Sequence, residues 1–384
     1  MSAVRTRILH VITRLELGGA QRNTLYTVEH LDRDRFQAGL AWGPGDRLDA
    51  EAARLEGVER FEVADLVRPV HPLRDLGALA RLRRVVREFA PQVVHTHSSK
   101  AGILGRAAAR LERVPSVVHS IHGFGFTPLQ AAPVRALFLL AERAAARWTD
   151  HFIAVSQADR QLGLELGLFG PEAVSLIRSG IPLERLRAAD GSRVRCQLGL
   201  PDATPLVTQV GNFKPQKAPL DFVRVAAEVV RELPDTRFVM AGEGPLRGQA
   251  EALAAELRVA DRIIFCGWWN EVPELLAASQ VSVLTSRHEG LPRAVVESLA
   301  AGVPVVATAV DGVVEVVRHG VNGFLAAPGD VASMAAAVTA LLRSPELRQR
   351  MAAAARAGLD EFDIDLMVRQ QEELYRWLLG STTS

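Results

Sequence analysis

The sequence predicts an α/β protein made of two parallel, doubly wound sheets in tandem. Three observations carry that prediction. Short apolar runs without polar alternation recur along the chain, among them RILHVIT at 7–13, DHFIAVS at 150–156 and VPVVAT at 303–308. Strands covered on both faces read this way, and stretches of helical periodicity separate them. The chain has 384 residues, a length that ordinarily makes two domains. Finally, the loops that carry glycine or charge, at 18–21, 122, 211–217, 242–245 and 289–297, all follow strands. In tandem doubly wound domains such loops would line one cleft at the strands' carboxyl ends.

Composition narrows the class. A hydrophobic fraction of 48% and a charged fraction of 23% are those of an ordinary soluble globular protein. The two cysteines, Cys196 and Cys266, are far apart and in no CxxC pairing, which argues against a disulfide framework and a structural zinc site. The start, MSAVRTRILHVIT, lacks a long apolar core, and no run of about 18 apolar residues follows, so a cytoplasmic protein is expected. Residues 1–185 hold 25 basic and 20 acidic side chains, whereas the remainder holds 20 and 24. The front half could therefore face something anionic, such as a lipid phosphate; chance is the competing reading. Nothing points to nucleic acid. Only three basic residues are lysines, Lys100, Lys214 and Lys217, and two of them share one short loop. A compact point charge suits that loop better than a planar fork.

The elements follow in order. A first strand at 7–13 leads through R-L-E-L-G-G-A-Q to a helix ending near His30. Gly18 and Gly19 at this junction would permit close backbone approach and positive φ. Strands are expected at 36–42 and at 61–66, the first followed by the turn Gly43-Pro44-Gly45. The segment 74–89 repeats Leu76, Leu79, Leu82, Val85, Val86 and Phe89 at helical spacing. Its other face carries Arg81, Arg83, Arg84 and Arg87, a solvated stripe or a contact for anionic lipid headgroups. Two further strands end in His95 and His97, and in His119 and His122. A His-x-His pair at a strand end can ligate a metal, but no acid stands near to complete the set, so His95 and His119 read better as hydrogen-bonded core residues. Ser156 is placed to cap the helix after the 150–156 strand.

The second half opens with strand, loop and helix from Pro205, the loop holding Gly211, Asn212, Phe213, Lys214 and Lys217. TRFVMAGEGPLR at 236–247 and the segment 262–279, with Trp268 and Trp269 in its loop, repeat the pattern. Then VSVLT runs into Glu289, Gly290, Leu291 and Pro292, with a helix starting near Pro292. Glu297 falls in the helix's first two turns. Helix N–H groups beside a strand end bind phosphate readily, while a carboxylate there suits hydroxyls. Phosphate plus diol suggests a nucleotide ribose or a sugar.

The run T-S-R-H-E-G-L-P-R-A-V-V-E resembles the donor-site signature of family-4 retaining glycosyltransferases, with Glu289 and Glu297 as its two glutamates. The resemblance covers nearly the whole chain. It implies the GT-B fold of two Rossmann-like domains, here 1–182 on the acceptor side and 183–362 for the donor, with a final helix, 363–384, returning to the first. GGAQ at 18–21 matches the segment that packs on the donor diphosphate, and Lys217 matches the family lysine that grips it. Asn212 stands where the family has arginine, and Lys214 could supply that charge. Ser179 replaces the usual asparagine at the domain junction. The H-G-F-G-F segment at 122–126 resembles a subset that builds cell-surface polysaccharides and lipid-linked oligosaccharides, and implies that His122 touches donor sugar and acceptor.

The resemblance implies transfer of a sugar from a nucleotide diphosphate, with UDP favoured over GDP, to a sugar or lipid-linked acceptor. Lys217, Gly18, Gly19 and the amides near Leu291 would stabilise the leaving diphosphate. Glu297 would bind the ribose, and Glu289 would orient the sugar. Neither metal nor cofactor is expected, because lysine and amides supply the charge compensation. A nucleotide-sugar epimerase of the same fold, a zinc hydrolase using His95 and His97, and a non-catalytic nucleotide-sugar binder stay open. An NAD-dependent oxidoreductase lacks its G-x-G-x-x-G fingerprint.

Overall fold

The computed structural model describes residues 5–126, 130–201 and 203–381. It divides into two compact units, Met1–Gly180 with Ile364–Ser384, and Ile181–Asp363. Each is a parallel sheet with helices on both faces.

The first unit holds β1 (Thr6–Arg14), β2 (Phe36–Gly43), β3 (Val58–Glu62), β4 (Val93–His97), β5 (Ser116–Ile121), β6 (His151–Ala154) and β7 (Val174–Leu176). Their order across the sheet is β3-β2-β1-β4-β5-β6-β7. The order reverses at β1, so the loops after β1 and β4 diverge there, as at the ligand-binding edge of doubly wound sheets. Alternation along β1 sorts the core. Ile8 and Ile12 face the Gly19–His30 and Ile364–Ser381 helices, and Leu9 and Val11 face the Pro72–Phe89 and Ser99–Leu111 helices. Ser156 caps the Gln157–Glu165 helix through the N–H of Asp159.

Two expectations shift. The third strand lies at Val58–Glu62 rather than 61–66, because Val63 to Leu66 close a turn beyond it. Its sequence V-E-R-F-E puts charge on the outermost strand, which discourages pairing with another chain. Leu76 is 65% exposed instead of facing the core, whose contacts on that helix come from Ala78, Leu82, Val85, Val86 and Phe89.

The second unit holds β8 (Leu206–Val210), β9 (Arg237–Ala241), β10 (Ile263–Gly267), β11 (Val281–Leu284), β12 (Val305–Thr308) and β13 (Gly323–Ala326), ordered β10-β9-β8-β11-β12-β13. The short edge strand β13 pairs with β12 and was not foreseen from the sequence. Phe222, Val225, Val229, Phe238 and Val338 lie in the core of this unit, all fully buried. The loops after β8 and β9 are zipped together: Gly211 N–H donates to Ala241 O, and Phe213 N–H to Glu243 O. A Cβ on Gly242, at φ +150°, would lie 2.1 Å from Gly211 O, so only glycine fits this closure.

Candidate active site

The second unit's charged groups gather at the carboxyl ends of β8 and β11. The loop after β8 tightens through Lys214 N–H to Asn212 O and Lys217 N–H to Lys214 O, then passes into the Pro219–Glu232 helix through Ala218 at φ +43°. This brings the Lys217 ammonium to 2.5 Å from Glu289 Oε1. Glu289 is buried and accepts a second hydrogen bond from Ser286 Oγ at 2.5 Å. Its own N–H donates to Asp311 Oδ2 at 2.7 Å. Thr285 Oγ1 donates to Lys217 O, and Arg287 N–H to Gln216 O, so the two loops are latched along their length. Arg287 also pairs with Asp221 at 2.5 Å.

Pro292 is the cap residue, and the helix runs Arg293–Ala300, one residue later than a proline at its first turn would give. Among the described residues, the N–H groups of Gly290, Leu291 and Ala294 donate to no protein acceptor. Three such donors at one helix start favour an anion. Glu297 sits half-buried further along the helix, held by Arg293 at 3.2 Å. Of the sequence-derived residues, Lys217 and Glu289 are in contact, with Gly290, Leu291 and Pro292 following Glu289 in the same loop. Asn212 and Lys214 are half-buried at the start of the facing loop. The supports Ser286, Gln216 and Asp311 were missed. Asp311 alone left a signal, as the Asp-Gly pair after β12; its φ of +35° is a turn conformation that aspartate tolerates better than most residues.

On the first unit, Gly18 caps the Gly19–His30 helix with φ −157°. Neither Gly18 nor Gly19 has positive φ, which corrects the sequence expectation. The strand runs extended into the helix, a path open to any residue. His122 lies half-buried just beyond β5. Its Nε2 is 3.2 Å from His97 Nδ1. Behind it, Asn23, His97, Ser120 and Arg178 line a cavity with room for about one water molecule. Asn23 Nδ2 donates to Ser179 Oγ at 2.7 Å, which ties the substituted junction residue to the first helix.

His10, His95, His97 and His119 are core residues, on opposite faces of the sheet. His10, His95 and His97 share one face because His10 pairs with His95 in register and His97 is two residues on. His119 is on the other face, its Nδ1 2.9 Å from Thr96 Oγ1. A Cβ on Gly102 would come within 2.6 Å of the His119 ring, so the glycine gives it room. Burial lowers all four pKa values, that of His10 to about 3. His95 uses both ring nitrogens, with Tyr375 Oη at 2.6 Å and Ser120 Oγ at 2.8 Å. His10 and His97 bond each other at 3.0 Å. One nitrogen from each of these three rings lies within 4.8 Å of the other two, yet each ring is already hydrogen-bonded. The His95/His97 pair is therefore part of a hydrogen-bonded chain, and the hydrolase reading has no support.

The arginine stripe is also revised. Arg81 pairs with Asp65, and Arg83 and Arg87 both pair with Glu112, leaving Arg84 exposed without an ion pair among the described residues. The neutralised stripe no longer argues for a headgroup contact. Trp269 packs into the wall of the second unit and donates from Nε1 to Glu271 O.

Comparison with known proteins agrees with this fold. Residues 17–185 match the family described as Glycosyltransferase Family 4, and residues 192–358 match Glycosyl transferases group 1. The chain is 33% identical over 348 residues to the UDP-Gal:alpha-D-GlcNAc-diphosphoundecaprenol alpha-1,3-galactosyltransferase of Escherichia coli, covering 88% of each chain. It is 26% identical to the N-acetyl-alpha-D-glucosaminyl L-malate synthase of Bacillus anthracis, over 79% of this chain and 80% of that one. Anabaena Alr3699/HepE, crystallised with UDP and glucose, superposes with a TM-score of 0.83 at 23% identity, covering 96% of this chain and 99% of that one. Sucrose-phosphate synthase of Thermosynechococcus elongatus superposes at 0.84 with 21% identity, covering 98% and 100%. Among the described residues, no helix is long and apolar enough to cross a membrane.

Proposed function

Because the chain belongs to the family-4 glycosyltransferases, we propose that it transfers a hexose, with retention of anomeric configuration, from a UDP-sugar to a hydroxyl of a lipid-linked saccharide. One observation carries the donor half: Lys217, Glu289 and the open N–H groups of Gly290, Leu291 and Ala294 converge at neighbouring strand ends. The Escherichia coli relative acts on a UDP-sugar and a diphosphoundecaprenol-linked acceptor, which favours those two classes here.

In this reading the donor's C1–O(phosphate) bond breaks and a C1–O bond to the acceptor forms on the same face. The acceptor's proton passes to the leaving phosphate oxygen. Lys217 turns from Glu289 to the diphosphate, joined by the amides at the helix start and by Asn212 and Lys214. The family resemblance gives Gly18 and Gly19 the same task. Donors preorganised toward developing charge are each worth roughly 3–4 kcal/mol. Glu289, released from Lys217, orients the sugar or steadies positive charge at C1. Glu297 accepts hydrogen bonds from the ribose hydroxyls, and His122 positions a hydroxyl of donor sugar or acceptor. These groups need neither metal nor cofactor for charge compensation.

Peripheral membrane contact belongs to the proposal, with a different seat. The Ala132–Ala146 helix exposes Val134, Leu137 and Leu140 beside Arg135 and Arg143, and its one acid, Glu142, is buried against Arg106. Apolar and cationic groups without a competing acid suit an anionic bilayer surface at the cytoplasmic face.

The test is a thermal-shift screen of UDP-, GDP- and ADP-sugars, since a ligand bound to the folded state raises its melting temperature. UDP-sugars should give the largest shift, and Glu297→Ala and Lys217→Ala should each abolish it. A full shift in both variants would remove the assigned roles.

A further inference from the structure

We infer that Thr285, just beyond β11, is a positioning residue for Lys217. Its hydroxyl clamps the backbone on both sides of Ala218, so the lysine can exchange Glu289 for the donor diphosphate by turning its side chain alone. The kinetic consequence rests on the transferase reading above, whereas the placement of Lys217 does not.

The loop after β8 leaves through a strained residue. Ala218 has φ +43° and ψ 55°, the left-handed region in which a Cβ crowds the backbone. Pro219 follows, and its ring restricts the residue before it and supplies no N–H to fix the junction. Such a conformation persists only where its surroundings over-determine it.

The Thr285 hydroxyl does so from the neighbouring loop. Carbonyl oxygens only accept, so the hydroxyl donates, its proton shared between Lys217 O at 2.9 Å and Ala218 O at 3.0 Å. These are the carbonyls immediately before and after the Ala218 Cα. Thr285 is fully buried, so water does not compete for the bond. Gln209 Nε2, on β8, donates to the same hydroxyl at 3.3 Å and takes up one of its lone pairs. Lys217 N–H donates to Lys214 O at 2.9 Å, so the lysine's backbone is held through both of its polar groups. The bonds of Gln216, from Nε2 to His288 O and from Arg287 N–H to Gln216 O, secure the loop ahead of the lysine and not beyond it.

Thr285 and Ser286 are consecutive, and they hold the two sides of one ion pair. Thr285 grips the backbone of Lys217, while Ser286 Oγ donates to Glu289 Oε1 at 2.5 Å. Neither bond involves the ammonium. Both can therefore survive its departure from Glu289, and a charge whose support does not reorganise acts on the leaving group at full strength.

Thr285→Val keeps the shape of the side chain and removes the hydroxyl. It should lower kcat about tenfold, a barrier change of about 1.4 kcal/mol, and Thr285→Ser should stay within about threefold of the wild type. In a Lys217→Ala background Thr285→Val should cost nothing more, because its effect runs through the ammonium. A second tenfold loss there means general support of the fold and overturns the inference. Placement is read without turnover. The chain has three lysines, so protein labelled with ¹³Cε-lysine gives three signals, and that of Lys217 is the one lost in Lys217→Arg. Thr285→Val should move it toward the position of a free lysine while the Lys100 signal stays. If Thr285→Val does not fold, Gln209→Leu decides. It removes the bond to Thr285 together with Gln209 Oε1, which has no hydrogen-bond partner among the described residues, and should move the Lys217 signal the same way by less. An unmoved Lys217 signal in the deciding variant overturns the inference. A moved signal in a protein that turns over no sugar nucleotide leaves the clamp standing and sinks the transferase reading instead.

Discussion

The two units share one strand order, to which the first adds a seventh strand, and place their polar groups differently. The first buries ionisable side chains within its sheet layers: His10, His95 and His97 on one face, His119 on the other, and the Arg106–Glu142 pair beside His119. Among the described residues, the second has no histidine in any strand, and its close ion pairs lie in loops and helices, as with Lys217–Glu289 and Arg287–Asp221. A polar group inside a sheet must be satisfied by fixed partners, so the first unit is specified by its hydrogen bonds. A charge at a strand end can exchange its partner for a ligand. The same architecture thus yields an internal network in one unit and a responsive surface in the other.

Exchanging charge loss between the units gives the largest expected effect. Arg106→Leu strands Glu142 in the interior and should cost about 3–5 kcal/mol of stability. Lys217→Ala should cost the fold far less, because Lys217 is 22% exposed and Glu289 keeps its bond from Ser286, yet it should lower kcat about 10²–10³-fold. Urea unfolding and initial rates measured on both variants check this. Equal stability losses would erase the contrast.

Acid should separate the units next. The pKa values of His10, His95, His97 and His119 are lowered in the folded state, chiefly by burial. Below about 6.5 the unfolded chain protonates these rings while the folded chain does not, so unfolding takes up protons and stability falls as pH drops. Each ring contributes a slope of up to about 1.4 kcal/mol per pH unit, continuing to the folded value, about 3 for His10. Hydrogen exchange at pH 7 and pH 5 should show first-unit peptides losing protection before second-unit ones. Equal loss in both would break the comparison.

These differences were unevenly legible in the sequence. Both sheets could be read because strands covered on two faces leave unbroken apolar runs, as in RILHVIT and VPVVAT. The Glu289–Glu297 segment could be read because its residues are contiguous. The Lys217–Glu289 contact spans 72 positions, and no local pattern encodes it. His10 was passed over because one histidine in an apolar strand looks like a core residue; its meaning arises only when β1 pairs with β4 and the last helix brings Tyr375 over the ring. The arginine stripe misled for the opposite reason. Helical spacing showed the cations, while the acids that neutralise them, Asp65 and Glu112, come from other segments.

The surfaces give the smallest and last test. Among the described residues, the exposed large hydrophobics of the second unit are the isolated Val314 and Val321, whereas the first unit groups Val134, Leu137 and Leu140 on one helix with Arg135 and Arg143. On vesicles containing anionic lipid, a basic side chain near the surface is worth about 1 kcal/mol, or roughly fivefold in partitioning. Arg135→Gln should therefore weaken vesicle binding by about that factor, and Leu137→Glu by more. Arg83→Gln should change little, because its charge already faces Glu112. Co-sedimentation across a salt series reads all three. If Arg83→Gln releases the protein and Leu137→Glu does not, the contact belongs to the Pro72–Phe89 helix after all, because an ion-paired arginine could dominate only if the bilayer displaced its acid.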